Sequence, residues 1–455
     1  MRLTRKQLLA GAAASALGAA GVYELVDQLS DGAPARVPSG LPRPDEQHLL
    51  DGVSVIVDNK VEVVVPPMHH QLVTANVRGG DLRAAQRDLS EALAELDAAY
   101  EQTPAGLGVT VAWGLPYFER HVPQAWRAHA PFDRRARKSA LLRSVRFPSD
   151  PDDTVLEENE VAVLLRSDSR EHVAHAARVL FDDLDAFDVT SIRRGFVGGG
   201  LPKKMSMAAG VPGADLVPAG AQLFLGFTST QKDALGPTRI ANHETLGYVD
   251  LGPKAYFRQG KSMHVSHLFE DLEAWYLNFD FRERVATAFR PDHPPLPEGT
   301  QTVAQPLKGA RSSRAVVREF ERQGRIGHSS SLQASSRLQR DHVATDGTVY
   351  KRGTAIPQRA DFNTLDNPFA WSARRDVDQM QAGPNAGLHF VVFNPSSDDF
   401  HRNRLAMDGV LPDGTKLPLD ARARQQGFNS VLRTTHRQNF LVPPRRHRSF
   451  PLAEL

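Results

Sequence analysis

Along the first half of the chain, the spacing of hydrophobic residues changes several times between that of a strand and that of a helix. The order of these changes limits the folds that the chain can adopt. Residues 81–102 carry apolar side chains at helical spacing behind an aspartate cap, and residues 169–185 repeat this pattern behind a serine. Apolar runs at 72–77, 106–114 and 160–168 have the length of strands. The resulting order, strand-helix-strand-strand-helix, is that of a ferredoxin-type split βαβ unit.

The second half alternates between strands and helices in the same way, without visible sequence repetition. Its predicted strands are 221–228, 261–269 and 387–394, its helices begin in 270–281 and 396–409, and its loops are 291–299, 327–348 and 410–418. Two further strands are predicted at 52–58 and 61–67, ahead of the first unit. The pattern therefore predicts an α+β protein with two halves of the same kind, joined near residues 190–220.

Composition excludes several classes of function. The chain has 455 residues, of which 41% are hydrophobic and 24% charged, as is ordinary for a globular protein of about two domains. A net charge of +2 gives no reason to expect a nucleic acid or another polyanion as partner. The chain has no cysteine, which excludes disulfides, thiolate metal sites and Fe–S clusters.

Residues 1–40 are predicted to be an export signal and a linker. The stretch Thr4–Leu9 resembles the core of a twin-arginine signal, with Lys6 in place of the second arginine. The apolar run that follows, Leu8–Val22, is weakly hydrophobic and shorter than the roughly 20 residues of a membrane span, so no stable span is expected after processing. Residues 33–35 (Ala-Pro-Ala) are a candidate cleavage site, and a frayed N-terminal helix is the alternative. Export across the cytoplasmic membrane, to the periplasm or the exterior, is therefore predicted.

Four short motifs that are suggestive of catalysis do not meet the requirements of their class. Residues 260–262 (Gly-Lys-Ser) lack the first glycine of a phosphate loop, and residues 327–332 (Gly-His-Ser-Ser-Ser-Leu) lack the last glycine of a nucleophile elbow. The neighbours His69 and His70 would point to opposite faces of a strand. The glycine run 198–200 lacks the spacing of a dinucleotide loop. None of these motifs supports nucleotide binding, acyl transfer or zinc hydrolysis.

Eight phrases of the sequence follow one another over residues 45–445. They are GLGVTVAWGLPYFER (106–120), ENEVAVLLRSDSREHVAHAARVL (158–180), RRGFVGGGLPKK (193–204), YFRQGKSMHVSHLFEDLEAWY (256–276), GHSSSL (327–332), TVYKRGTAI (348–356), GLHFVVFNPSSDDFHRNRLA (387–406) and NFLVPP (439–444). In order and spacing they resemble the dye-decolourising (DyP-type) haem peroxidases. The resemblance implies two ferredoxin-like halves, 41–195 and 196–455, that form a dimeric α/β-barrel-type fold, with the haem-pocket loops in the second half.

The resemblance implies haem b as cofactor and His328 as the axial ligand of its iron. A neutral imidazole is a good ligand for ferric haem, and a carboxylate on its other nitrogen strengthens it. His342 is the competing ligand, because the loop that holds both histidines is long. Asp398 and Asp399 are candidates for the supporting carboxylate, although an acidic residue at this position is equally well explained as a helix cap. From residue type alone, His328 would be an ordinary loop histidine.

The same resemblance implies that Arg352 acts on the open face of the haem. There, a guanidinium can stabilise negative charge that develops on a peroxide oxygen. Gly195, Phe196 and Gly199 match a loop that binds the cofactor. In that loop, however, Gly198 occupies the position of the family's acid–base aspartate, a role that glycine cannot perform.

Two functions follow from the resemblance. The first is a haem peroxidase that uses hydrogen peroxide to oxidise an unidentified reductant, weakened by the missing aspartate. The alternative is a non-catalytic haem-binding or structural protein on the same scaffold. Trp113, Trp275 and Tyr276 are candidate electron relays, although aromatic residues at such positions usually belong to the core. The sequence leaves the oligomeric state open, with a homo-oligomer among the expectations.

Overall fold

The computed structural model describes residues 22–34, 42–295, 309–367, 385–419 and 427–455. The strands are β1 (Ser54–Asp58), β2 (Val61–Val65), β3 (His69–Val77), β4 (Gly108–Gly114), β5 (Phe132–Asp133), β6 (Lys138–Ser139), β7 (Val155–Leu156), β8 (Val161–Ser167), β9 (Phe187–Phe196), β10 (Val249–Asp250), β11 (Lys261–Glu270), β12 (His342–Val343), β13 (Val349–Tyr350), β14 (Gln358–Arg359), β15 (Phe362–Thr364), β16 (Gly387–Asn394) and β17 (Leu432–Val442). The α-helices are α1 (Val26–Leu29), α2 (Leu82–Ala99), α3 (Leu115–His121), α4 (Pro123–His129), α5 (Arg170–Phe181), α6 (Leu201–Ala208), α7 (Leu272–Asn278), α8 (Phe281–Ala288), α9 (Ser313–Gln323), α10 (His328–Leu332) and α11 (Ser397–Met407).

The N-terminal half is a ferredoxin-like unit. Its four strands lie in the order β4-β8-β3-β9, and all neighbours are antiparallel. Helix α2 connects β3 to β4, and α5 connects β8 to β9. Both helices begin at the predicted caps, because the side chain of Asp81 accepts from the Arg83 N–H and that of Ser169 accepts from the His172 N–H.

The C-terminal half has the same strand order. Its strands lie in the order β17-β11-β16-β15, so that the first strand of the unit is again paired with the third and the fourth. Helices α7 to α10 lie between β11 and β15 in the chain, and α11 connects β16 to β17. The predicted α+β fold of two ferredoxin-like halves is therefore confirmed.

The two sheets close into one barrel of eight strands. At one junction β15 meets β9 through Asn363 and Phe196, and at the other β17 meets β4 through Leu441 and Trp113. Side chains of alternate residues fill the interior, since successive residues of a strand face opposite sides of a sheet. The buried interior cluster includes Leu72, Leu164, Met263, Val265, Phe362, Val391, Phe393 and Phe440. The helices cover the outside.

Several predicted elements of the second half are wrong. Residues 221–228 form turns rather than a strand, since Gly226 has a φ of +84° and the apolar side chains of the segment are buried among helices instead. Strand β11 continues to Glu270, where a helix was expected, and α7 starts only after the capping residue Asp271. The predicted loop 327–348 contains the helix α10 and the strand β12.

The sequence does not reveal β9 and β17, which supply the fourth strand of each half. Their inward positions include Arg193 and His436, so they lack the alternation of apolar and polar residues that identifies a strand. They are strands because their partners in the barrel pair with them, and their polar side chains are accommodated inside.

Part of the predicted export and linker segment packs onto the barrel. Val22, Tyr23 and Val26 are buried in the same apolar cluster as Phe196 and Trp275. The Tyr23 hydroxyl donates a hydrogen bond to Asp366 Oδ1 at 2.8 Å and accepts one from the backbone N–H of Leu365 at 2.9 Å. Cleavage at residues 33–35 would remove these contacts.

The predicted twin-arginine core, which includes Arg5 and Lys6, lies outside the described residues. Among the helices that the structure describes, none is long and apolar enough to cross a membrane.

Replacing Tyr23 with phenylalanine tests whether residues 22–34 belong to the folded unit. The change leaves a carboxylate oxygen and an N–H without a partner in a buried place, so we expect a loss of about 1–3 kcal/mol in the free energy of unfolding, measured by urea denaturation. Tyr350→Phe is the control, because no hydrogen bond of the Tyr350 hydroxyl is seen among the described residues. Equal stability of the two variants would contradict the prediction.

Candidate functional site

A cavity lies between the outer face of the C-terminal sheet and the helices that cover it. Strands β11, β16 and β17 form its floor, and α10 and α11 lie over it. The empty space of the cavity, together with the solvent in its opening, measures about 1650 Å³. Its walls are mostly apolar, and the aromatic rings that line it are Phe227, Phe289, Phe390, Phe400 and Phe428. A large apolar cavity with a few polar side chains is the usual form of a cofactor site.

His328 reaches this cavity from the first turn of α10. It follows Gly327, where a Cβ atom would lie 2.6 Å from the carbonyl oxygen of Phe289, so only glycine allows this close contact. The serines that follow hold the helix in place, because the Ser330 hydroxyl donates to the buried carboxylate of Glu319 at 2.6 Å and accepts from the Gly327 N–H. The start of α10, and with it His328, is therefore anchored to α8 and α9.

The imidazole of His328 is held in its neutral form. Burial and, to a smaller extent, the positive charges of Arg359 and Arg404 together lower its pKa to about 3. Its ring packs against Phe428, with the ring centroids 4.9 Å apart, and Nδ1 has no hydrogen-bond partner among the described residues. A neutral imidazole beside an apolar cavity can donate a lone pair to a metal ion.

Arg359 and Asp361 also line the cavity. They alternate along the chain with Ala360 and Phe362, which fill the barrel. Since successive residues of a strand face opposite sides, both charged side chains point outward. Burial lowers the pKa of Arg359, and the charge of Asp361 opposes that shift. Nε and Nη2 of Arg359 have no hydrogen-bond partner among the described residues. The guanidinium is therefore available to an anionic ligand.

A second carboxyl group, that of Glu270 at the end of β11, lines the same cavity. Burial and, to a smaller extent, the charge of Asp361 together raise its pKa to about 8. Burial also raises the pKa of Asp361 itself, against the lowering effects of Arg359 and the Ser229 hydroxyl. At neutral pH, Glu270 therefore holds a proton.

Three other arginines line the cavity, and each is bound to the protein. Arg337 donates to the carbonyl oxygens of Gly353 and Asp233 at 2.7 and 2.8 Å. The other two form ion pairs with carboxylates outside the cavity: Arg437 with Asp150 at 2.7 Å, and Arg404 with Asp150 at 3.1 Å and Asp408 at 2.8 Å.

Arg352, the predicted catalytic arginine, does not line the cavity. Its side chain is exposed, and its backbone N–H donates to Asp341 at 2.8 Å. Arg359, seven residues later, does line the cavity together with His328. Charged and apolar residues alternate from Arg359 to Phe362, but four residues are too few for a periodicity argument from sequence.

The predicted cofactor-binding loop also lies apart from the cavity. A Cβ atom on Gly195 would lie 2.1 Å from the carbonyl oxygen of Asn363, so this glycine allows close contact between β9 and β15. Phe196 is fully buried, and Gly199 faces Gly220. Gly198, next to Leu201, is not part of the cavity either. Gly195 therefore serves packing between the two halves.

The remaining predicted residues lie outside the cavity lining. His342 Nε2 is 2.7 Å from the carbonyl oxygen of Thr245. Asp398 and Asp399 form ion pairs with Arg135, so neither is the carboxylate behind His328. Both belong to the first turn of α11, and the capping box of that helix includes Asp399.

The candidate electron relays are core residues. The Trp113 indole donates to the Arg448 carbonyl at 2.9 Å, and Trp113 does not line the cavity. Trp275 and Tyr276 donate to the carbonyl oxygens of Leu225 and Phe224, at 2.9 and 2.6 Å. Since Leu225 lines the cavity, these two aromatic residues lie directly behind its wall.

Comparison with known proteins gives a family and a fold. Residues 67–444 match the model of a family of unknown function, DUF7405. No curated protein matches the sequence. Among solved structures, the chain is similar to a heme-bound variant of DypB from Rhodococcus jostii RHA1, with a TM-score of 0.50 and 13% identity over 84% of this chain and 95% of the other.

Two further solved structures are similar to the chain to about the same extent. A second crystal form of DyPB from Rhodococcus jostii RHA1 has a TM-score of 0.50 and 13% identity, over 85% of this chain and 96% of that one. A DyP-type peroxidase protein from Shewanella oneidensis has a TM-score of 0.49 and 11% identity, over 84% and 94%. At such identities, the likeness to DypB concerns the fold alone.

The raised pKa of Glu270 predicts how stability depends on pH. The folded protein keeps this proton up to about pH 8, whereas the unfolded chain releases it near 4.5. Glu270 therefore stabilises the fold below pH 4.5, and that contribution is lost between pH 4.5 and 8, by on the order of 1 kcal/mol per pH unit.

Glu270→Gln should gain stability relative to wild type as the pH rises from 5 to 8, because its amide has no proton to release. The free energy of unfolding at pH 5, 6.5 and 8 measures this gain. The exposed substitution Glu321→Gln is the control. A difference from wild type that stays constant over this range would show that Glu270 is ionised in the folded protein.

Proposed function

We propose that this chain, which belongs to the family of unknown function DUF7405, is a haem-dependent oxidoreductase that uses hydrogen peroxide to oxidise a reductant. The observation that carries the proposal is the meeting of His328 and Arg359 in one large apolar cavity. The likeness of the fold to DypB structures, one of which contains heme, supports it.

The residues of the cavity fit haem b. Its aromatic and aliphatic walls suit the porphyrin, and His328, neutral and without a partner for Nδ1, suits its iron. Arg359 has donors that no described residue uses, and these suit an anionic oxygen. Bound there, haem would supply the one- and two-electron chemistry that amino-acid side chains lack.

The residues of the chain have separate tasks in this mechanism. His328 binds and orients the cofactor, because α10 is anchored through Ser330 and Gly327. Arg359 stabilises negative charge on a peroxide oxygen, and the low polarity around it strengthens that interaction. Arg352 has no task of this kind, since its side chain is exposed.

A non-catalytic haem-binding protein on the same scaffold is the second candidate. The observation that favours it is Gly198, which stands where a carboxylate is expected and could not move a proton. Both candidates require haem to bind, and they differ in whether peroxide is consumed.

The location and partners of the protein are also proposals. The basic and apolar pattern of residues 1–22 supports export by a twin-arginine-like signal, which carries folded proteins. Hydrogen peroxide and an unidentified reductant are the partners of the proposed reaction.

His328→Ala should abolish or greatly weaken haem retention, because the iron loses its protein ligand. The measurement is the Soret absorbance of protein purified after expression with haem. His342→Ala is the matched control and should keep wild-type haem, and added imidazole should partly restore the spectrum of His328→Ala. An unchanged haem content and spectrum in His328→Ala would end this assignment.

Arg359→Leu and Arg352→Leu should differ in their reaction with peroxide. Removing one preorganised donor to a developing anion costs on the order of 10²–10³ in rate, so we expect a loss of that size for Arg359→Leu. Arg352→Leu should react like the wild type. The measurement is the second-order rate constant for peroxide consumption by haem-loaded protein, and the reverse order of the two variants would restore Arg352 as the catalytic arginine.

A further inference from the structure

We propose that Lys261, the first residue of β11, binds carbon dioxide covalently, as a carbamate on its Nζ atom. The proposal goes beyond the proposed function and does not depend on haem, because Lys261 does not line the cavity. Carbamate formation requires a neutral amine, a base that takes up its proton, and a positive charge that balances the new anion. The fold brings these three groups together at one end of the barrel.

Lys261 points into the interior of the barrel at one of its ends. It precedes Met263 of the interior cluster by two residues, so both side chains lie on the inner face of β11. Its side chain is fully buried. His48, from the segment before β1, packs over the same end, with its ring centroid 4.8 Å from that of Phe393, another interior residue. A reagent must be small and uncharged to reach this amine, and carbon dioxide is both.

The Lys261 amine is a nucleophile at neutral pH. Burial lowers its pKa to about 7, against the opposing charge of Glu46. A large share of the amine is therefore uncharged at pH 7, whereas an exposed lysine, with a pKa of about 10.4, would be an ammonium group. Only the uncharged form has the lone pair that attacks the carbon atom of carbon dioxide.

His48 is placed to take up the proton that the amine loses. Its Nδ1 atom lies 2.5 Å from Lys261 Nζ, and burial, with the charges of Lys261 and Arg166, lowers the pKa of His48, so that the ring is neutral. In the reaction, the lone pair of Nζ forms the N–C bond, one C–O π bond opens to give the carboxylate, and a proton moves from Nζ to Nδ1. The product is a carbamate anion beside an imidazolium cation, and their attraction offsets the lowering of the His48 pKa.

Arg166 supplies a permanent positive charge at the same end of the barrel. It follows Leu164 of the interior cluster by two residues, and its Nη2 donates to the His48 carbonyl oxygen at 2.7 Å. Burial lowers the pKa of Arg166 to about 10, so the guanidinium is still charged at neutral pH. Among the described residues, its Nε has no hydrogen-bond partner and its guanidinium forms no ion pair. A carbamate on Lys261 gives this buried cation a counter-charge.

Carbon-13 NMR of the full chain, equilibrated with labelled bicarbonate, tests the proposal without haem. We expect a carbamate signal in wild type that is lost in Lys261→Met. This variant should fold, because it keeps the size of the side chain and removes a buried amine. Lys351→Met is the matched control and should keep the wild-type signal, because the Lys351 side chain is 75% exposed. Equal signals in wild type and Lys261→Met would overturn the proposal.

The dependence of this signal on pH and on His48 tests the mechanism. At a constant concentration of dissolved carbon dioxide, the signal should rise from pH 6 to 8.5 as the amine loses its proton. The other titratable or charged groups beside Lys261 are Glu46, His48, Arg166 and His243. In the unmodified protein both histidines stay neutral over this range, because burial and nearby positive charge lower their pKa values, and Arg166 stays charged. His48→Gln should lose most of the signal, because its amide cannot take up a proton. A signal that neither pH nor His48→Gln changes would contradict the assigned roles.

A crystal structure of the wild-type protein gives the same answer without any variant. Crystals grown with bicarbonate at pH 8.5 should show a carboxylate group bonded to Lys261 Nζ, next to the His48 ring. An unmodified amine under these conditions would end the assignment, also in the case that Lys261→Met or His48→Gln does not fold.

Discussion

Closure of the barrel is the constraint on which the rest of the structure depends. Strand β11 pairs along its length with both β16 and β17, whereas the two halves meet only at short junctions. Since each strand alternates its side chains between two faces, closure divides every strand into an inner and an outer set. Arg359 and Asp361 reach the cavity because Ala360 and Phe362 are taken up by the barrel.

Closure also explains the polar residues that the barrel contains. His267 lies between His389 and His436 on neighbouring strands, and the rings of His267 and His389 are 4.4 Å apart. Burial lowers the pKa of all three, so the row is neutral at physiological pH. A buried charge in the same region, that of Arg193, is paired with Glu157. Because the charge is paired and the histidines are neutral, burying these polar groups costs less free energy of folding than burying unpaired charges would.

The polar interior is the physical reason why the sequence predicted some strands of each half and missed others. In the N-terminal half, capped amphipathic helices and apolar strands carry their own signals, and α2 and α5 begin where expected. The side chains of β9 and β17 show no such pattern. These two segments are strands because the neighbouring strands of the barrel pair with them. Conversely, the apolar run 221–228 resembles a strand in sequence but forms turns, and its apolar side chains are buried among helices.

The residues of the candidate site were also predicted only in part. His328 could be proposed because a resemblance in phrase order points to its position, and the structure places it at the cavity. Arg352 and the glycine loop came from the same resemblance and lie elsewhere, since the order of phrases does not say which of two nearby arginines faces inward. That choice is made by strand alternation after residue 357, in a segment too short for a periodicity argument from sequence.

The glycine loop shows that the shape of a site and its chemistry are specified by different atoms. Gly195 is required by the Asn363 carbonyl, a contact between the halves that any closed barrel of this kind must make. Nothing in that contact requires a carboxylate nearby. The cavity lies on the opposite face of the C-terminal sheet, where its acidic groups come from β11 and from the segment before β15. A chain can therefore keep the packing glycines of such a loop, lose the acid at Gly198, and still present a carboxylate to the cavity from a strand.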